Sequence, residues 1–157
     1  MEFSAAGFKL LKQSEGFRSH VYKDVEGFPT IGYGHRLLHP DSFADGVNTD
    51  VAAQILACDV DDAESAVLRL VKVPLTQGQF DALVDFVFNL GWARLSASTL
   101  LKELNAGHYE AAAQELLRWD RAGTEENAGL KARREAELVL WNTTETKSGT
   151  AGGKTNQ

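Results

Sequence analysis

Three side chains near the N-terminus have the types and spacing to do acid–base chemistry together: Glu15, then Asp24 after eight intervening residues, then Thr30 after five more. Glu15 follows Phe8 and Leu11 at the i, i+3, i+7 spacing of one helix face, and Gly16 comes directly after it as a helix stop signal. A carboxyl on a half-apolar face at the negative end of a helix is poorly stabilised as an anion, so it tends to keep its proton unless a cation stands beside it. A carboxyl that holds a proton near neutrality is what a general acid needs, for example toward a glycosidic oxygen. Taken singly, each residue also has an ordinary reading. Glu15 can be a solvated residue at a helix end. Asp24 can be a turn residue bonding its own backbone, and Thr30 a β-branched strand residue.

Five further residues are candidates. His35 follows Gly34 at a turn, where it can border a cleft or anchor the backbone through a carboxylate. His39 lies four residues on, but the flanking Gly34 and Pro40 argue against a metal pair on a helix. Asn89 is the lone amide near the end of an almost wholly apolar helix, so it must bond backbone or reach a ligand. Trp119 suits a core or a cleft equally. Arg133 and Arg134 can meet Glu15, acidic peptide groups or solvent.

The elements that must position these residues follow from periodicity and punctuation. Ser4 is a helix N-cap, with Phe3 and Phe8 spaced as a hydrophobic staple, and the helix runs to Glu15. Ser19–Lys23 and Thr30–Tyr33 read as strands of a small antiparallel sheet with glycine- and proline-rich turns. Residues 39–47 read as a loop. Thr49 to about Lys72 is a long helix with Leu56, Val60, Ala63, Val67 and Leu70 in a stripe. Thr76 and Gln79 form a capping box for a helix to about Leu90 whose apolar residues cover most of its circumference. Ser98 caps a short helix ending at Gly107, Tyr109–Leu117 fits an amphipathic helix, and about Leu130 to Trp141 supplies another.

The fold class expected is α+β, mainly helical. Residues 1–147 form one domain in two lobes, about 1–58 and about 59–147, sharing the helix 49–72, with a cleft between them. Residues 148–157, rich in Thr, Ser, Gly and Lys, read as a disordered tail.

Composition narrows the function. The chain has 157 residues with 16 Lys plus Arg against 22 Asp plus Glu, a net charge of −6, which disfavours nucleic acid as a partner. Lys131, Arg133 and Arg134 bunch near the end and suggest a local basic patch. The single cysteine, Cys58, rules out an internal disulfide and a cysteine-based zinc framework. No apolar run approaches the length of about 20 residues that a membrane helix needs, so no stable membrane insertion is expected.

The combination of motifs closely resembles the phage-type lysozymes of glycoside hydrolase family 24. Residues 14–37, SEGFRSHVYKDVEGFPTIGYGHRL, match that family nearly throughout, and the likeness continues through FVFNLG at 86–91, STLLKELNAG at 98–107, Trp119 and GLKARREAE at 129–137. The resemblance implies a lysozyme-like fold. It implies a muramidase that cleaves the β-1,4 bond between N-acetylmuramic acid and N-acetylglucosamine in bacterial peptidoglycan. Glu15 would be the general acid, with Asp24 and Thr30 readying the water. It also implies that His35, Asn89 and Trp119 lie toward the glycan and that Arg133 or Arg134 supports the acid. No metal and no other cofactor is expected. The protein is expected to act as a monomer and to stay in the host bacterial cytoplasm until a separate pore-forming protein opens the way to the wall. A lytic transglycosylase, or a peptidoglycan-binding module without catalysis, are the alternatives.

Overall fold

A computed structural model describes residues 1–39 and 42–143. Helix α1 spans Ala5–Glu15, and Ser4 caps it in extended conformation, its Oγ accepting from the Gly7 amide at 3.4 Å. The staple forms: the Phe3 and Phe8 rings meet edge to face with centroids 4.8 Å apart. The start of α1 is also tied to distant chain, because the Phe3 amide donates to Glu64 Oε1 at 2.7 Å and the Ser4 amide to Asp81 Oδ1 at 3.0 Å. The Ser4 hydroxyl donates to Asp81 Oδ2.

Three short strands follow, β1 (Arg18–Lys23), β2 (Pro29–Gly32) and β3 (His35–Arg36), in one antiparallel sheet of order β1-β2-β3. The register sets Tyr22 opposite Thr30, and Ile31 opposite His35. Ile31 is fully buried under helix α2 (Thr49–Leu70). The two meet closely at Gly32, where a Cβ would sit 3.2 Å from Ala52 Cβ. At 22 residues, α2 is about 33 Å long, and its buried Leu56, Val60, Ala63 and Val67 match the periodic stripe. Its end is closed by Asn105, which donates to the Leu70 carbonyl and accepts from the Lys72 amide.

Helix α3 (Gln77–Leu90) is the centre of the helical lobe. Both bonds of the Thr76–Gln79 capping box are present, and Phe80, Leu83, Val84 and Phe86 are fully buried. Around it lie α4 (Trp92–Ser96), α5 (Thr99–Asn105), α6 (Tyr109–Leu116) and α7 (Ala128–Trp141), with a hairpin of β4 (Arg121–Ala122) and β5 (Glu125–Glu126) before α7. Ser98 caps α5, as its position predicts. Helix α7 crosses α3 so closely that a Cβ on Gly78 would lie 2.0 Å from the Leu140 carbonyl oxygen. Only glycine fits there.

Several features depart from the sequence expectation. From sequence, residues 1–58 group as one lobe, but α1 packs against α3 and α7 and puts Phe3 and Leu11 into the helical core. Only the sheet, carried by α2, forms the other lobe. The two-residue β3, the β4–β5 hairpin and α4 are too short to show a period, and α7 starts two residues earlier than expected because Asn127 caps it. The tail assigned to 148–157 lies outside the described residues.

Candidate active site

A groove of about 800 Å³ runs between the sheet and the helical lobe, and its walls include Glu15, Tyr22, Asp24, Thr30, His35 and Asn89. Glu15 enters from the last residue of α1, where Gly16 takes φ +69° and its amide closes the helix on the Lys12 carbonyl at 2.9 Å. One carboxylate oxygen, Oε1, accepts from Arg133 Nη1 at 2.7 Å. The other faces the turn after β2, where a Cβ on Gly34 would fall 2.7 Å from Oε2. Gly34 also has φ +76°, so both backbone conformation and clearance require glycine.

Asp24 sits just past β1, and the tight turn to β2 wraps around its side chain. Oδ1 accepts from the amides of Glu26 and Phe28, each at 2.9 Å, and Oδ2 accepts from Arg36 Nε at 3.1 Å. The Phe28 amide bond above all, then the Glu26 amide and the Arg36 charge, hold the Asp24 carboxyl below the usual aspartate range despite partial desolvation. It is therefore an anion near neutrality. The turn-residue reading of Asp24 thus holds in the structure, and the same side chain lines the groove. Thr30 is 2% exposed, and its hydroxyl donates to the Phe28 carbonyl at 2.9 Å. Its oxygen lone pairs remain to accept a hydrogen bond.

A buried charge cluster lies behind Glu15. Arg133 and Arg134 were expected to form part of a surface patch with Lys131, but they are 7% and 0% exposed. Successive residues on α7 point in different directions, and these two point inward. Arg133 donates through Nε and Nη2 to the two oxygens of Asp85 at 2.9 Å each, leaving Nη1 for Glu15. Burial alone would lower its pKa. The bonds and charge of Asp85, then of Glu15, more than offset this and raise it. Arg134 turns instead to Asn89, with Nη2 at 2.7 Å from Asn89 Oδ1, and to Glu137 Oε1 at 2.8 Å. Burial lowers the Arg134 pKa, with the Glu137 charge opposing. Burial likewise pushes the fully enclosed Glu137 carboxyl well above the glutamate range, and the Asp85 carboxyl beside it adds to the rise.

The remaining candidates divide. His35 borders the groove and is anchored as well, its Nδ1 lying 2.7 Å from Asp59 Oδ2 on α2. Trp119 stands apart from the groove-lining residues and packs edge to face on Phe86, centroids 5.5 Å apart. Among the described residues no group of three or more His, Cys, Asp or Glu side chains is arranged to hold a metal ion.

The profile of the family described as Phage lysozyme matches residues 12–137. This chain belongs to that family. It is 39% identical over 144 residues to an endolysin of Salmonella phage P22, covering 89% of this chain and 99% of that protein. An endolysin of Bacillus phage B103 is 43% identical over 152 residues, 94% of this chain, which spans only 57% of that longer protein. The muramidase domain of SpmX from Asticaccaulis excentricus superposes with a TM-score of 0.84 at 35% identity, over 91% of this chain and 99% of that one. The chain is thus a lysozyme-type peptidoglycan hydrolase, a glycoside hydrolase by family.

Sequence reasoning missed several residues of this lysozyme's groove and its support. Tyr22 lines the groove beside Thr30, and burial, then the charge of Glu15, raises its pKa. The only available sign was its position in a strand. Asp85 and Glu137 carried a clearer one: acids at otherwise buried helix positions demand cationic partners. Trp92, the first residue of α4, also lines the groove while 55% exposed.

Proposed function

We propose that this lysozyme hydrolyses the β-1,4 linkage between N-acetylmuramic acid and N-acetylglucosamine of bacterial peptidoglycan, with Glu15 as general acid and Asp24 and Thr30 readying the water. The supporting observation is that all three line one groove although they come from the end of α1, the turn after β1 and strand β2. Glu15 gives its proton to the glycosidic oxygen as the bond to the anomeric carbon breaks, and the leaving sugar departs as an alcohol. Asp24 Oδ2 takes a proton from the attacking water, whose oxygen bonds the anomeric carbon, and Thr30 Oγ1 accepts the water's other hydrogen. Proton exchange with solvent then restores both carboxyls.

Arg133 divides its donors between Glu15 and a second carboxylate. Two of its donors serve Asp85 and one serves Glu15. The protein acts as a monomer in this reading. It waits in the host cytoplasm for a separate pore-forming protein; among the described residues no helix is long and apolar enough to cross a membrane.

Clearance of purified cell-wall suspensions by the wild type and by Glu15→Gln tests the reading. The wild type releases reducing ends on fragments that have gained one water, and Glu15→Gln releases none. Equal clearance by both removes Glu15 from the role of acid. Anhydro fragments, lighter by one water, would make the enzyme a lytic transglycosylase. Binding without release would make it a wall-binding module.

A further inference from the structure

Arg134 and Glu137 take no part in the hydrolysis proposed above, yet both are fully buried, and Arg134 bonds a residue of the groove wall. The Arg134 guanidinium lies over the Phe86 ring, 5.1 Å from its centroid, and reaches Asn89 Oδ1 at 2.7 Å and Glu137 Oε1 at 2.8 Å through the same nitrogen, Nη2. A guanidinium has hydrogen-bond donors and no acceptor. The Asn89 amide must therefore turn its oxygen toward Arg134. Rotating that amide by a half-turn would set donor against donor and deprive a buried cation of an acceptor, a costly exchange. The orientation is fixed from behind, and Nδ2 is the group that Asn89 can offer to the groove it lines.

We propose that Arg134, braced by Glu137, is a positioning residue that sets Asn89 as an obligate hydrogen-bond donor toward the acetamido carbonyl of an amino sugar in the groove. Sugar hydroxyls donate as well as accept and do not discriminate between the two ends of an amide. An acetamido carbonyl only accepts, so it pairs selectively with a group that only donates. The inference rests on the groove being the glycan site, as in the proposed function.

The test uses binding in a Glu15→Gln background, so that no glycan is cut, with two soluble probes: an oligomer of N-acetylglucosamine and its fully de-N-acetylated counterpart. Asn89→Asp keeps the acceptor that Arg134 requires and removes the donor. It is expected to weaken binding of the acetylated oligomer about tenfold and to bind the de-N-acetylated one no less tightly. Arg134→Lys is expected to weaken acetylated binding several-fold when Asn89 is present and to add nothing in the Asn89→Asp background. Glu137→Ala, which removes the brace outright, repeats that comparison should Arg134→Lys not fold, as melting curves would reveal. Unchanged affinity in Asn89→Asp, equal weakening toward both oligomers, or absence of binding to either overturns the proposal. So does an Arg134→Lys loss of the same size in both backgrounds, the mark of a merely structural role. Failure of the wild type to lyse walls would instead strike the proposed function, and the binding comparison would still be read.

Discussion

Glu15 and Asp85, 70 positions apart in the chain, share one cation: Arg133 gives Nη1 to Glu15 at 2.7 Å and Nε and Nη2 to Asp85 at 2.9 Å. Asp85 is fully buried. Arg133→Met leaves it as an uncompensated interior charge, and the expected loss of stability is about 3–5 kcal/mol by urea unfolding. Arg133→Met combined with Asp85→Leu should regain most of that stability, because no unpaired charge remains. Lytic activity should stay low in both variants, since the Glu15 carboxyl loses the hydrogen bond that positions it.

Gly34→Ala tests the clearance around Glu15. The new Cβ would press on Oε2 from 2.7 Å, and φ +76° disfavours any L side chain. The backbone term should cost about 1–2 kcal/mol. Displacement of the carboxyl should lower kcat by about tenfold to a hundredfold, while the KM for wall fragments changes little. A kcat within twofold of wild type would show that Glu15 is not held by this turn.

Glu137 predicts a slope of stability with pH. Its folded pKa is raised, so between the ordinary glutamate range and that raised value the native state binds a proton that the unfolded chain has released. Wild-type stability therefore falls as pH rises through this window. In Glu137→Gln that contribution is gone. Its unfolding free energy relative to wild type should grow from pH 4 to pH 8, measured by denaturant titration at each pH. A constant difference would place Glu137 as ionised in the native state.

Ionic strength is the fourth test. The net charge is −6, and Arg133 and Arg134 turn inward instead of joining Lys131 in a surface patch, so the net field disfavours approach to anionic walls. Lysis of wall suspensions should stay flat or rise as salt goes from low to moderate levels, because screening weakens mutual repulsion. A steep fall would reveal a cationic face elsewhere on the surface.

The parts of the fold legible in sequence are those written in local chemistry. The Ser4 cap with its Phe3–Phe8 staple, the Thr76–Gln79 box and the 22-residue stripe of α2 each depend on neighbours within a few positions. The groove residues Glu15, Asp24 and Thr30 were legible as a set because their spacing resembles that of a known family. Asp24 alone is indistinguishable from any turn aspartate until its Arg36 contact is seen. What was not legible depends on partners far along the chain. Adjacent arginines on α7 read as a patch, and only the packing of α7 on α3 separates their targets, Glu15 and Asp85 for one, Asn89 and Glu137 for the other. The placement of α1 in the helical lobe likewise depends on Glu64 and Asp81, which sequence periodicity marks only as polar helix positions.

The 118 positions between Glu15 and its guanidinium partner have a bearing on biosynthesis. A ribosome delivers the acid 118 positions ahead of the arginine, so a nascent chain has the sheet and the long connecting helix well before it can dock α7. Until that helix emerges and settles against Gly78, the acid lacks its counterion and Asn89 its anchor. A nascent chain therefore completes this charge cluster only after α7 has left the ribosome.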